Sequence, residues 1–528
     1  MTQEVVSFAR VADIARRGGR ECPNKTLFHF EGRTVDYRAF DTNSSRAANG
    51  LIALGLKPDD RVAHIGKNSD LYFELLMAAA KAGGVMTPVN WRLALPEIAW
   101  IVADCGARIL FVGPEFTDLV AANRAAFPGV EHVVAIEGAA NGFPDYRRWR
   151  DTFTDGDPDV PRGEQDAVIQ MYTSGTTGKP KGAVLTNGSV LRSRLDRDPA
   201  LLAEWERWEE DDVALVAMPC FHIGGTAYGI SVMTNGATGV ITREFDPAGV
   251  LDLIEAHRIS KIFMVPAAMQ TIVNQPRARE VDFSRLRHIA YGASPIPLAL
   301  LRQCIDIFQC GFVQMYGMTE TSGTIAALPP EDHDPAGNER MRSIGKPLRG
   351  VEMRVIDPDG RPLPPREIGE IAIRAQANMR EYWGRPEATT ETIDADGWLR
   401  TGDAGYTDEQ GYFYLHDRVK DMIISGGENV YPAEVENAIY GHPAVADVAV
   451  VGVPDVRWGE AVKACVVLKP GAAAGASEII GWARDRIAGY KCPKSVDFIP
   501  ALPRNPSGKI LRRELRAPYW EGHERPIG

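Results

Sequence analysis

Cysteine is scarce and shows no pairing pattern. The 528 residues hold 7, at 22, 105, 220, 304, 310, 465 and 492, with no Cys-x-x-Cys. The nearest pair, Cys304 and Cys310, lacks the His or Cys partners of a zinc site. An odd count without a framework argues for a reducing compartment, where buried thiols behave as small hydrophobes. No run approaches the ~20 apolar residues of a membrane-spanning helix. The first twenty residues lack the apolar core of a signal peptide, and the last six match no familiar targeting tail. The expectation is a cytoplasmic protein with no integral membrane segment. Gly-x-Gly occurs nowhere among the 51 glycines, which excludes the ordinary dinucleotide fingerprint. No solenoid-length repeat is present, and low complexity is confined to Gly471-Ala472-Ala473-Ala474-Gly475. A net charge of −11 leaves no global field to hold nucleic acid or an anionic lipid surface. A site for a polyanion must therefore be built locally.

The positive pattern is an alternation. Short β-branched runs such as Arg61–Ile65 and Lys261–Val265 alternate with helix-length apolar stretches such as Leu71–Lys81. That rhythm predicts α/β layers with largely parallel sheets. Near residue 345 the texture changes: Pro347, Pro358, Pro362, Pro364 and Pro365 punctuate short strands at Met353–Ile356 and Gly369–Arg374. Hairpin-connected strands in a small barrel suit this stretch better than βαβ units. After Asp417-Arg418-Val419-Lys420-Asp421 a compact αβ pattern follows. It predicts helices at 433–440 and 478–488 and strands at 445–453, 461–468 and 495–499. The fold expected is α/β: a large N-terminal domain of layered α/β subdomains plus a small barrel-like β region, and a small mobile C-terminal α+β domain. The boundaries expected are 1–417, a hinge at 418–420, and 421–528.

The strongest local signal is Tyr172-Thr173-Ser174-Gly175-Thr176-Thr177-Gly178-Lys179-Pro180-Lys181-Gly182, which follows the strand-like Ala167–Met171. Glycines let backbone N–H groups approach phosphate oxygens, hydroxyls donate, and lysines supply charge, so the string reads as an anion cradle. It is not a Walker A loop, because Lys179 precedes Pro180 where Ser or Thr is required.

This string resembles the phosphate loop of the adenylate-forming superfamily, which includes acyl-CoA synthetases, carrier-loading adenylation domains and luciferases. Four later segments agree in order. Gln314-Met315-Tyr316-Gly317-Met318-Thr319-Glu320 resembles the adenine- and magnesium-binding segment, and Trp398-Leu399-Arg400-Thr401-Gly402-Asp403 the ribose segment. Asp417–Asp421 resembles the interdomain hinge, with Lys420 at the pivot, and Pro503–Ile510 the loop of the catalytic Lys509. The resemblance spans roughly residues 10–515. Read alone, Asp403 fits a turn former, Lys509 a solvated loop lysine and Glu320 a first-turn helix acid as well as they fit ligands. The ordered match decides.

What the resemblance implies is an ATP-dependent acid–CoA ligase working through an acyl-adenylate, with ATP, Mg²⁺ and CoA as small-molecule partners and a homodimer as the prior expectation. Lys509, Thr176 and Glu320 would be catalytic. Thr173, Ser174, Gly175, Thr176, Thr177, Gly178 and Lys181 would hold the phosphates. Gly292, Ala293, Gln314, Met315, Tyr316, Gly317 and Thr319 would surround the base, with Asp403 and Arg418 on the ribose or phosphate. Glu320 is the Mg²⁺ ligand. Pro219-Cys220-Phe221-His222-Ile223-Gly224-Gly225 and Tyr291–Pro295 resemble acyl-site segments, giving a pocket of His222, Gly224, Gly225, Gly292, Gly317 and Met318. His222 is read as a pocket wall or gate; Gly224, where some relatives carry a bulky aromatic, leaves room. Gly426, Gly427 and Glu428 would pass the pantetheine arm of CoA. A medium- or long-chain fatty acid is favoured over an aromatic or alicyclic one. The alternatives are an enzyme loading a carrier protein, a luciferase-like oxidase, or a non-catalytic nucleotide- or acyl-binding protein.

Overall fold

The computed structural model describes residues 9–173, 180–195, 202–294, 296–334, 336–418, 421–425, 428–455, 457–504 and 510–521. For 192–195, 416–418, 424, 428 and 429 it describes the backbone alone. Two sheets build the large N-terminal domain. The first has seven strands, in the order Glu381–Tyr382, Lys181–Thr186, Ala167–Thr173, Val85–Val89, Arg61–Ile65, Ile109–Val112 and His132–Ala135. The second has nine: Lys346–Pro347, Gly323–Leu328, Gly311–Met318, His288–Gly292, Lys261–Met264, Val213–Val216, Thr238–Ile241, Thr26–Phe30 and Arg33–Asp36. The middle strands of both are parallel, as the sequence rhythm predicts; antiparallel strands close the second sheet at both edges and the first at one.

The helix Asp70–Lys81 shows why the sheets join. Its Ser69 cap accepts the amide of Tyr72 at 3.1 Å, and all of its residues are buried. Phe73 stacks on Phe28 of the second sheet at 5.2 Å between ring centroids, within one core that also takes Met86 and Ile169 from the first. Its charged residues are all paired. Glu74 receives Arg150 at 2.8 Å and the Tyr146 hydroxyl at 2.9 Å, and Lys81 reaches Asp41 and Ser45. Without those partners this burial would cost several kcal/mol per ion.

The proline-punctuated stretch is a half-barrel. Four antiparallel strands, Val351–Ile356, Gly369–Ala375, Leu399–Thr407 and Phe413–Arg418, pair in chain order. The smaller C-terminal domain holds a sheet of Ile423–Ser425, Glu428–Val430, Val445–Asp455, Gly459–Leu468 and Ser495–Phe498, with helices Pro432–Tyr440, Ala476–Arg484 and Arg512–Trp520. Pro432 occupies the first helical turn, where a missing N–H costs nothing. The helix expected to reach 488 stops at Arg484, with its last carbonyls taken by the Asp485 amide. The hinge expected at 418–420 runs into Val419 and Lys420, which lie outside the described residues. Among the described residues no helix is long and apolar enough to cross a membrane.

Candidate active site

The glycine- and hydroxyl-rich string joins two paired strands, Ala167–Thr173 and Lys181–Thr186, which run antiparallel with Thr173 opposite Lys181. The first strand therefore runs two residues beyond the Met171 expected from sequence, because the returning strand supplies its hydrogen-bond partners. Tyr172 anchors this strand by donating its hydroxyl to Asp104 at 2.7 Å.

Glu320 lies against the same pair of strands. It sits in the three-residue 3₁₀ turn Thr319–Thr321, too short to develop a helix dipole, and is 5% exposed. Its Oε1 accepts two hydroxyls, Thr173 Oγ1 at 3.1 Å and Tyr382 at 2.8 Å, and its backbone carbonyl accepts the Met379 amide at 2.7 Å. Lys181 Nζ sits 5.0 Å from the centroid of the same Tyr382 ring. The structure thus brings Thr173, Lys181 and Glu320 together, and adds Tyr382, which sequence reasoning missed. Tyr382 arrives on a strand of only two residues, Glu381–Tyr382, paired to Lys181–Thr186. Such a strand carries no periodicity, and the Tyr382-Trp383 aromatic pair was the sole trace of it.

Asp403 stands at a second focus. Its Oδ2 accepts the Tyr316 hydroxyl at 2.7 Å, and its amide donates to Thr401 Oγ1 at 3.1 Å. The preceding Gly402 takes a φ of +72°, a conformation that glycine adopts without steric cost. Asp403 pairs in register with Arg418 on the neighbouring strand. Between these foci the strands His288–Gly292 and Gly311–Met318 run side by side, with Gly292 opposite Met315. A Cβ on Gly292 would lie 2.1 Å from the Met315 carbonyl oxygen, and one on Gly317 would lie 1.9 Å from that of Gly323. These two glycines are needed for backbone approach. Ala293 follows in the left-handed region at φ +66°, a strained state for a residue with a Cβ, of order 1–2 kcal/mol. Gln314 faces Tyr291 on one side and Leu328 on the other; Met318 donates its amide to Thr321, which closes the turn holding Thr319.

A cavity of about 1070 Å³ opens beside Met315, Gly323 and Thr324. It passes Ala290 and Val313 on the central strands and Gly224, Ala227 and Tyr228 on the helix Ile223–Thr234. Of the acyl-site residues expected from sequence, Gly224 lines it. Gly225 is turned into the protein, where a Cβ would meet the carbonyl oxygens of Pro219 and Met218 at 2.4 and 2.5 Å. The room at Gly224 is shared with Phe263, whose Cε1 would stand 2.9 Å from a Cβ there. His222 caps the helix start and packs on Phe221 at 4.5 Å between ring centroids. Burial, aided by Arg92, pushes its pKa down to about 4, so the ring is neutral at ordinary pH; its Nε2 is buried without a hydrogen-bond partner among the described residues.

Ser174, Gly175, Thr176, Thr177, Gly178, Lys179, Lys420, Gly426, Gly427 and Lys509 lie outside the described residues, as do the side chains of Arg418 and Glu428. Among the described residues no group of three or more His, Cys, Asp or Glu is placed to hold a metal ion. A hard cation held by one carboxylate together with substrate phosphates needs no such group.

Comparison with known proteins agrees with this geometry. The AMP-binding enzyme family matches residues 15–383, and the AMP-binding enzyme C-terminal domain matches residues 434–509. The chain is 44% identical over 501 residues to the fatty acid–[acyl-carrier-protein] ligase ScoC of Streptomyces coeruleorubidus, covering 94% of each chain. It is 41% identical to a feruloyl-CoA synthase of an Amycolatopsis species, over 95% of this chain and 97% of the relative. Among solved structures, ATP-bound MatB from Rhodopseudomonas palustris superposes with a TM-score of 0.87 at 30% identity, over 98% of this chain and all of the other. Two family models in that order, and relatives this similar over nearly the whole length, make one assignment: the chain belongs to the AMP-binding enzyme family and is an AMP-forming acid–thiol ligase.

Proposed function

We propose that this enzyme joins a medium- or long-chain fatty acid to the thiol of coenzyme A. The observation that carries the reading is the clasp of Thr173 and Tyr382 on the buried Glu320, beside Lys181, together with a cavity of about 1070 Å³. A carboxylate is a poor acyl donor because oxide is a poor leaving group. In the first half-reaction the acid's carboxylate oxygen attacks the α-phosphorus of ATP, the bond to the β-phosphate oxygen breaks, and pyrophosphate leaves. In the second, the thiol sulfur attacks the acyl carbon, the C–O bond to AMP breaks, and the thiol proton passes to solvent. A thiol pKa of ~8.5 supplies enough thiolate for an acyl donor already activated.

Both reactants of the first step are anions, so cations at the reacting centre are the main requirement. Lys181 answers it from the second of the paired strands; Lys509, Arg418 and the amides and hydroxyls of 174–178 are assigned the rest. Asp403, oriented by Tyr316, has the chemistry to accept the ribose hydroxyls. The donor set fits Mg²⁺: Glu320 offers a hard oxygen, its Oε1 is fixed by two hydroxyls, and the phosphates would complete the shell. Bound there, the ion would neutralise phosphate charge. Gly426, Gly427 and Glu428 are assigned to the pantetheine arm, and Lys420 to the pivot that would exchange Lys509 for a thiol path between half-reactions.

The likeness to ScoC supports a second acceptor, the thiol of a carrier protein. The likeness to a feruloyl-CoA synthase keeps aromatic acids in the test. Acid-dependent ATP–pyrophosphate exchange over saturated, branched and ring-bearing acids, followed by AMP release with CoA or an acyl-carrier protein as sole acceptor, decides both. Exchange with fatty acids and AMP release with CoA are expected. Turnover restricted to ring acids or to the carrier would overturn the respective half of the proposal.

A further inference from the structure

The far end of the cavity is not apolar. The strands Lys261–Met264 and His288–Gly292 are parallel, with Lys261 opposite His288 at their starts. From His288 to Gly292 is four residue rises, about 13 Å, so these two residues lie one strand length from the adenylate end. Both line the cavity, 5% and 8% exposed. The Lys261 ammonium has one hydrogen bond among the described residues, a long one of 3.4 Å to the Trp205 carbonyl, and stands 5.3 Å from the Trp208 ring centroid. The Tyr228 ring packs on the same indole at 6.2 Å, and its hydroxyl is turned away from the cavity space, buried without a partner among the described residues. The ammonium beside Trp208 thus has almost nothing to receive it.

Three acids stand nearby, each facing another group: Asp212 takes Arg287 at 2.5 Å and the Ser260 hydroxyl at 2.6 Å, Glu204 faces His288 Nε2 at 3.3 Å, and Glu209 faces Arg287 at 3.9 Å. Burial pushes the Lys261 pKa down, against the pull of Asp212. An unsatisfied buried ammonium costs several kcal/mol, and a cavity meant for a plain methyl terminus would be served better by methionine or leucine. We infer that this cavity selects acids carrying an acceptor oxygen (hydroxyl, ketone or carboxylate) at the end remote from the reacting carboxyl, with Lys261 as its donor. The inference rests on the acid occupying this cavity, as the proposed function requires.

The test uses the purified full chain and a set of acids of one chain length: the saturated acid, its ω-hydroxy and keto forms, and the α,ω-dicarboxylic acid. The parent is expected to favour at least one oxygenated acid over the plain acid by tenfold or more in kcat/KM. Lys261→Met should shrink that preference by roughly ten- to a hundredfold, the range of a hydrogen bond to a charged group. Lys261→Gln keeps a polar donor without the charge and should shrink it by a smaller factor, so it reports even where the methionine variant fails to fold. A parent that favours the plain acid, or variants that lower all four acids by the same factor, would overturn the inference. Failure of every acid to support pyrophosphate exchange would instead sink the proposed function.

Discussion

Gly224 and Gly225 are neighbours on one helix, yet the structure predicts opposite outcomes for filling them. At Gly225 a Cβ collides with two backbone carbonyl oxygens, which cannot move without the chain. At Gly224 it meets only the edge of the Phe263 ring, and the space beyond is the cavity. Gly225→Ala should therefore destabilise by about 3 kcal/mol or more, the upper range of overpacking, with a fall in thermal midpoint and in soluble yield. Gly224→Trp should fold, because the indole has the cavity to enter and Phe263 can rotate. It would displace the distal part of a long acid. If four methylenes lose their place at about 0.8 kcal/mol each, the loss is about 3 kcal/mol, or roughly two hundredfold in kcat/KM for long acids. Short acids, which never reach that depth, should change by less than about threefold, within the few tenths of a kcal/mol common for neutral changes. The assay is acid-dependent AMP release across chain lengths, with thermal unfolding run alongside. An unchanged chain-length profile in a folded Gly224→Trp protein would refute the assignment of the cavity to the acyl group.

Other expectations follow from the same site. Glu320→Gln keeps an oxygen to accept Thr173 and Tyr382 but loses the charge, so pyrophosphate exchange should fall by about a hundredfold or more and require higher Mg²⁺, with the thermal midpoint nearly unmoved. Tyr316→Phe removes a charge-assisted hydrogen bond to Asp403, and KM for ATP should rise roughly tenfold or more while the fold holds. Lys420→Pro, by fixing φ, should impair one half-reaction more than the other; equal loss of both in single-turnover measurements would count against a pivot. His64 and His222 are both pushed by burial to about 4, below their unfolded value of ~6.5. The unfolded chain then binds more protons over that interval, so stability is complete above pH ~6.5 and is lost as pH falls toward 4. Denaturant midpoints at pH 7.5 and 5 should differ, and His222→Asn should reduce the difference.

Much of this was legible in the sequence because the chemistry is packed into contiguous strings. The string from Tyr172 to Gly182, the turn at Glu320 and the Gly402-Asp403 pair inside its strand each announce themselves by residue types whose backbone freedom or donors have few other uses. Alternation of β-branched and helical stretches likewise gave the parallel sheets. What escaped were partners supplied from a distance. Tyr382 meets Glu320 across 62 positions of chain, through a two-residue strand with no pattern to read. The cavity's depth depends on Phe263 and Trp208, whose directions emerge only when strand and helix are packed. Adjacent glycines in Gly224-Gly225 look alike in one dimension, and only the surrounding carbonyls separate the spacious position from the crowded one.

Tyr382 has a consequence of its own. Lys181 stands 5.0 Å from the centre of its ring while its hydroxyl donates to Glu320, so a single aromatic residue touches both a cation and an anion. Under the proposed function, one side chain would therefore set the place of both the charge that meets phosphate and the charge that meets the metal.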